Sequence, residues 1–359
     1  MIFSNYKVKE LQKMEFKDYS QFYIRSFSVD KKENFNLHTK YHYTSPDAFL
    51  SIIKGGKIRF TDARFLNDKT EIKYFISVLI DFLNQNKNSF PLCLECVSEL
   101  LKENSFNDLE SLDVSKIKYN YKVAEKETEG KEKRIFIFCT SADNDSLNMW
   151  NYYVNSGKYQ GYNIGININK FLKVFEKISV NNIKDFKVYY GNVLYKEKDQ
   201  FKEISSYLRY IENLIDSHIK LISQQTSKDE NRSNYINIGK MMIYQYIESC
   251  AAFYKHSKFA DEREFRIVIE ISEDCVPKNE QEATSFFGPE NGNMYEGFCA
   301  KNGLIVPFIQ VEIPKNAIKQ VTVSPIMEFE IADKGVKELL SCSGIEDVEI
   351  LHSEIPIRF

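Results

Sequence analysis

The chain has 359 residues, 43% hydrophobic and 14% aromatic, enough apolar material for one large core or two joined ones, which excludes disorder over most of its length. Its 48 basic and 51 acidic side chains leave a formal charge of -3, so no global field draws the molecule onto nucleic acid or an anionic membrane, although a local basic patch stays open. No run approaches the roughly twenty apolar residues that a bilayer needs, the N-terminal stretch has no apolar leader, and seven irregularly spaced cysteines suit a reducing compartment, so a cytoplasmic protein is expected.

Residues 1–36 are polar and aromatic without a firm period and read as a short leading helix and an extended arm. The best-punctuated stretch is Tyr41 to Glu71. A β-rich strand over 37–44 leads to Ser45-Pro46, an N-cap followed by the one helical position where proline is welcome. Phe49, Leu50, Ile52 and Ile53 then mark a buried stripe, Gly55-Gly56 offers a left-handed exit, and 57–60 resumes as strand. Asp68 with Glu71 has the spacing of a capping box in front of an amphipathic helix through Ile72, Phe75, Ile76, Leu79, Phe82 and Leu83. A second helix is expected over 92–102 and a solvated loop over 125–133, which makes 69–133 a mostly helical insertion.

A buried strand over 135–140 follows, then an Asp/Asn/Ser turn capping a short helix from Ser146 to Val154, and a strand in which Tyr162, Ile164, Ile166 and Ile168 share one face. Further on come a strand over 186–195, two long helices near 199–223 and 238–256 able to cover a sheet face, and a carboxylate-rich turn leading into a strand ending at Ile271. A loop with Gly288, Gly292 and Gly297 precedes strands at 304–313 and 318–323, a helix at 331–340 and a closing strand at 348–351. The fold class is α+β, a mixed and largely antiparallel sheet with a helical insertion and two long covering helices. It reads as one domain over 1–359, its core 37–68 plus 134–359.

Several polar residues in these stretches suit chemistry, and each has a plainer role. His42 and Thr44 point to one face of their strand, where a lone histidine is commonly structural. Glu262 and Glu264 stand at a strand entrance, where pairing with Arg263 or Arg266 would explain them. Trp150, Tyr152 and Tyr153 can be aromatic filling. Asn67, Asp68 and Glu71 can be helix caps. Cys93 and Cys96 have metal-ligand spacing but no second pair, and no metal is expected. Glycine-rich phosphate loops, HExxH and a GxSxG elbow do not occur.

Two resemblances bear on these stretches. The set YHYTS, IRFTDARFLNDKTE, FCTSADNDSLNMWNYY, GYNIGI and DEREFRIVI resembles the pattern of a bacterial family known as domain of unknown function 2971 over about 38–355. That family carries no assigned activity. The combination of Y-H-Y-T-S, a helix ending in S-I-I-K-G-G and the strand K-I-R-F is also similar to the first signature of ADP-ribosyltransferase-like enzymes.

The second resemblance implies an ADP-ribosyltransferase-like split sheet that takes NAD as substrate. It implies His42 as a catalytic and NAD-holding residue with Tyr41 and Thr44 beside it, Ser141, Trp150 and Tyr152 or Tyr153 around the nicotinamide, and Glu264, with Glu262 in reserve, at the ribose hydroxyl. Arg59, Asn67, Asp68, Glu71 and Arg266 stand in second rank. The acceptor would be an unknown nucleic acid or protein, and the role that of a toxin-like or antiviral defence effector. This chain departs from the pattern in its insertion of about sixty residues and in the form E-R-E-F-R of its glutamate motif. Two other classes stand beside it: a non-catalytic module binding a nucleotide or nucleic-acid end, with a basic side at Lys196, Lys198, Lys202 and Arg209, and a nuclease using Asp68, Glu71, Glu262 and Glu264 around a divalent ion.

Overall fold

The computed structural model describes residues 23–27, 39–66, 71–103, 121–123, 126–128, 133–154, 159–176, 178, 186–222, 228–301 and 303–357. In chain order these form β1 (Tyr23–Phe27), β2 (Thr39–Thr44), α1 (Pro46–Gly55), β3 (Lys57–Asp62), α2 (Glu71–Gln85), α3 (Pro91–Glu103), β4 (Tyr121–Val123), β5 (Lys126–Thr128), β6 (Lys133–Ser141) and α4 (Leu147–Tyr153). There follow β7 (Tyr162–Asn167), α5 (Ile168–Glu176), β8 (Lys187–Asn192), α6 (Glu197–Ile222), α7 (Lys228–Cys250), β9 (Glu264–Ser272), α8 (Glu280–Phe287), β10 (Glu296–Lys301), β11 (Leu304–Glu312), β12 (Ile318–Val323), α9 (Phe329–Cys342) and β13 (Glu349–His352).

Among the described residues eleven strands make one sheet in the order β1-β8-β9-β6-β2-β7-β12-β13, with β3 also on β6 and carrying β11 and then β10 outward. The pairs β1–β8 and β12–β13 are parallel and the others antiparallel. This is the mixed, largely antiparallel α+β sheet expected from the sequence. Strand alternation divides its residues between two cores. Ile135, Ile137, Tyr189 and Val268 pack under α2, α3, α6 and α7, so the insertion and the two long helices cover one face together. Phe136, Phe138, Val188, Phe265, Ile267 and Ile269 pack with α1, α5, α8 and α9 on the other.

Local chemistry sets the boundaries near the site. Ser45 Oγ accepts from the Ala48 amide at 3.3 Å, Pro46 opens α1, and Gly56, at φ 61°, closes it with its amide on the Ile52 carbonyl. Gly161 lets β7 run against β2, because a Cβ there would stand 2.4 Å from the Thr44 carbonyl oxygen.

The structure departs from the sequence reading in five places. Residues 23–27, within the expected arm, form β1 on the edge of β8. Lys126–Thr128 is strand, not loop, paired with Tyr121–Val123. The alternation of β7 stops before Ile168, because the Asn167 side chain accepts from the Lys170 amide at 3.0 Å and starts α5, whose Ile168, Phe171, Leu172 and Phe175 are buried at helical spacing. The glycine-bearing loop contains α8, capped by Asn279 on the Glu282 amide at 2.9 Å. It also contains most of β10, where Gly297 faces the Phe308 ring and a Cβ would stand 2.7 Å from it. The proposed cap at Asp68 lies outside the described residues.

Candidate functional site

The site is built on β6. One edge of that strand pairs with β9 along its whole length, from Lys133 to Ser141. Its other edge is shared: Phe136 and Ile137 pair with β3, and Ser141 pairs with Tyr41 of β2. Between these contacts β2 and β3 part, and at Phe138, Cys139 and Thr140 the sheet is split. A cavity of about 130 Å³ occupies the split, lined by Tyr41, His42 and Tyr43 of β2, Arg59 and Thr61 of β3, Phe138 to Thr140, Met149 and Tyr153 of α4, Glu264 and Arg266 of β9, and Lys255 and Lys301.

His42 takes over the hydrogen bond that a neighbouring strand would otherwise supply. Its Nδ1 lies 3.1 Å from the Cys139 carbonyl, which can only accept, so the proton sits on Nδ1 and Nε2 remains an acceptor. Burial lowers His42 to about 4, outweighing the Cys139 carbonyl, with repulsion from Lys301 adding to the effect. The ring is therefore neutral at pH 7, and it packs against Phe138 with centroids 4.9 Å apart.

Opposite it stands a chain of buried polar groups. Arg266 donates to Glu264 Oε2 from Nε at 3.0 Å and from Nη2 at 2.5 Å, and its Nη1 donates to the Ala252 carbonyl at 2.7 Å. Lys255 Nζ donates to Glu262 Oε2 at 2.5 Å and lies 3.5 Å from Glu264 Oε2, while the Tyr153 hydroxyl donates to Glu262 Oε1 at 2.9 Å. Burial alone would raise Glu264, but Arg266 and then Lys255 prevail and hold its carboxyl below the usual range. Burial and the neighbouring Glu264 charge raise Glu262 against its bonds to Lys255 and Tyr153. Burial, followed by the two carboxylates, also raises Tyr153, which stays a phenol. Adjacent carboxyls pushed in opposite directions are the arrangement by which active sites separate an ionised group from a protonatable one.

The supporting residues are placed by sequence order. Arg263, at φ 44°, ends the turn that carries Glu262 and starts β9. Ser141 Oγ donates to the Glu262 carbonyl at 2.8 Å and accepts from the Asp143 amide at 3.1 Å. Ser146 caps α4 on the Met149 amide. Trp150 is fully buried, edge-on to Tyr43, with Nε1 donating to Asp145 Oδ1 at 2.7 Å.

Of the residues singled out from the sequence, Tyr41, His42, Arg59, Tyr153, Glu264 and Arg266 meet at the cavity. Glu262 joins it through Tyr153 and Lys255. Thr44, Ser141 and Trp150 lie buried behind the lining, and Tyr152 points away at 66% exposure. Asn67 and Asp68, and the side chain of Glu71, fall outside the described residues. Cys93 and Cys96 are both fully buried among α3, α6 and α7, their thiols on the Leu208 and Ile236 carbonyls. Among the described residues no three His, Cys, Asp or Glu side chains converge in the manner of a metal centre.

Sequence reasoning missed Lys255 and Lys301. Lys255 is a single cation following the apolar run CAAFY, and its backbone is pinned by its amide on the Leu194 carbonyl and by Gln200 Nε2 on its own carbonyl, both at 3.1 Å. A charge set directly against the end of an apolar run is the signal that could have found it.

No curated protein and no solved structure matches the chain. No helix among the described residues is long and apolar enough to cross a membrane. Residues 149–267, about a third of the chain and the part that holds Tyr153, Lys255, Glu262, Glu264 and Arg266, match the family model described as a protein of unknown function, DUF2971, in keeping with the resemblance read from the sequence motifs.

Proposed function

We propose that the protein is an ADP-ribosyltransferase-like enzyme that takes the nicotinamide end of NAD into the split of its sheet and passes the ADP-ribosyl group to an acceptor. One observation carries this reading: His42, Tyr153 and Glu264, drawn from three distant stretches, line one cavity where β2 and β3 part along β6. A cavity of about 130 Å³ is smaller than the roughly 300 Å³ of ordinary small-molecule sites, so only one end of a dinucleotide fits inside. Arg59 and Lys301, which line it and are exposed, give its rim a positive charge suited to phosphates.

Cleaving the nicotinamide glycosidic bond develops oxocarbenium character at the ribose. A carboxylate kept ionised by Arg266 and Lys255 suits a hydrogen bond from a ribose hydroxyl that strengthens as that charge grows. The neutral His42 ring and the Tyr153 ring offer one acceptor and one flat apolar face to a carboxamide-bearing heterocycle. An enzyme of this kind would act as a toxin-like or defence effector, for which growth arrest on expression in a bacterial host is the readout.

The test is nicotinamide release from NAD, with and without nucleic acid or cell protein as acceptor. Release should fall at least 100-fold in Glu264→Gln, with the variant's melting transition recorded alongside because the change leaves Lys255 and Arg266 facing a neutral amide. Release from the folded variant at the wild-type rate would overturn the assignment. A second reading, nucleotide binding without turnover, is favoured by Glu264 being engaged already by Arg266 and Lys255. NAD that raises the melting temperature without any nicotinamide release would select it.

A further inference from the structure

Lys255 stands between the two carboxylates and comes from neither of their elements. It follows α7, is 4% exposed, and lies with its ammonium 4.7 Å from the Phe259 ring centroid, 2.5 Å from Glu262 Oε2 and 3.5 Å from Glu264 Oε2. A buried lysine without anionic partners would lose its proton, and two buried carboxylates this close without a cation could not both stay charged.

We propose that Lys255 is the positioning residue of the cleft, its buried ammonium bridging the two carboxylates so that Glu264, which Arg266 also holds, meets ligand as a charged group while Glu262 stays on the Tyr153 hydroxyl. The inference rests on the cleft being the functional site, and it goes beyond the NAD reading by assigning the joint placement of the two carboxylates to a residue outside both, while Arg266 sets Glu264 apart from Glu262. Of the two carboxylates, Arg266 binds Glu264 among the described contacts, through two bonds to one oxygen. Lys255 is the cation within reach of both carboxylates among those this site contains. Among the described residues the other titratable groups facing the pair are Tyr153 from α4, Cys139 from β6, and Tyr195, whose hydroxyl accepts from the Glu264 amide at 3.0 Å. Burial raises the two phenols, which stay neutral at pH 7, so Lys255 is the positive charge that the two carboxylates share.

The test needs no NAD, so its failure is separate from failure of the transferase reading. Carboxyl carbon resonances of Glu262 and Glu264, assigned through Glu262→Gln and Glu264→Gln, are followed by NMR from pH 3 to 8 in the wild type, Lys255→Gln and Lys255→Arg. The wild type should show two separate midpoints, Glu264 the lower. Lys255→Gln should raise the Glu264 midpoint by about one pH unit or more, a tenfold change in proton affinity, and Lys255→Arg should return it toward the wild-type value. An unmoved Glu264 midpoint in folded Lys255→Gln overturns the proposal. If that variant does not fold, the wild type still decides: the Lys255 ammonium nitrogen resonance should shift at both carboxyl midpoints, and one that shifts at neither, or at only one, overturns it. Should nicotinamide release be found, its acid limb should move upward in Lys255→Gln by the same amount.

Discussion

Strand β9 carries two buried carboxylates on the same face, Glu264 at its start and Glu270 three alternations later, and the two have been put to different uses. Glu270, 1% exposed, accepts from Lys133 Nζ at 3.0 Å and lies 3.1 Å from Lys187 Nζ, one carboxylate against two lysines on the flanking strands β6 and β8. It lines no part of the cavity described, and both lysines reach it from within the sheet. Glu264 has as many basic partners, yet it opens onto a split in the sheet, and a second carboxylate, Glu262, competes for one of those partners. Buried charge therefore does not mark a site. What distinguishes the Glu264 end is surplus: one more carboxyl than a closed pair requires, and a space beside it.

The largest expected effect breaks the closed cluster. Burial would raise Glu270, but Lys133 and Lys187 overcome it and bring its carboxyl down to about 2. A folded-state value below the unfolded value of about 4.3 means that Glu270 stabilises the fold fully above that pH, and that the contribution is lost as pH falls from there through about 2. Glu270→Gln should cost about 3 kcal/mol near neutral pH, measured by denaturant unfolding, and the deficit should shrink below about pH 4. A variant as stable as the wild type at pH 7 would show that the triad holds nothing.

The next effect concerns the open cluster. His42, lowered to about 4 by burial, binds its proton more weakly when folded than when unfolded. Its contribution to stability is therefore present above about 6.5 and declines as pH falls toward 4, opposite in cause to Glu270 and at higher pH. Nucleotide binding should show no His42 titration between pH 6 and 8. A binding midpoint near 6.5 that disappears in His42→Gln would show the ring to be solvated and the split more open than described.

How far the sequence made this legible follows from what each residue type can signal. The cap at Ser45-Pro46, the exit at Gly56 and the amphipathic α2 were readable because each depends on neighbours within four residues. The carboxylates at the start of β9 were readable as a pair for the same reason. Two kinds of feature were not. One is α5, whose Ile168 continues the alternation of β7 until an asparagine side chain ends it, so period alone gave the wrong element. The other is the split itself: nothing in RIFIFCTS states that one edge of β6 will be divided between β2 and β3, because that depends on pairings with residues about seventy-five to a hundred positions earlier. Lys255 left only the trace of a charge beside an apolar run, and its role comes from the two glutamates that it meets in space.

The smallest effects separate two neighbouring tyrosines that the sequence left undecided. Tyr153 has its hydroxyl on Glu262, whereas Tyr152 is 66% exposed and lines no part of the cavity. Tyr153→Phe removes one hydrogen bond from a carboxylate that keeps Lys255 as its other partner, so it should cost about 1 kcal/mol in stability and weaken nicotinamide release or nucleotide binding about tenfold. Tyr152→Ala, a surface change outside the network, should stay within about 0.5 kcal/mol of the wild type and leave binding unchanged. Both variants sit on the last turn of α4 and disturb it similarly, which makes each the control for the other. Equal losses from the two would mean that the helix matters and the hydroxyl does not, and the open cluster would then reduce to a second closed one like that around Glu270.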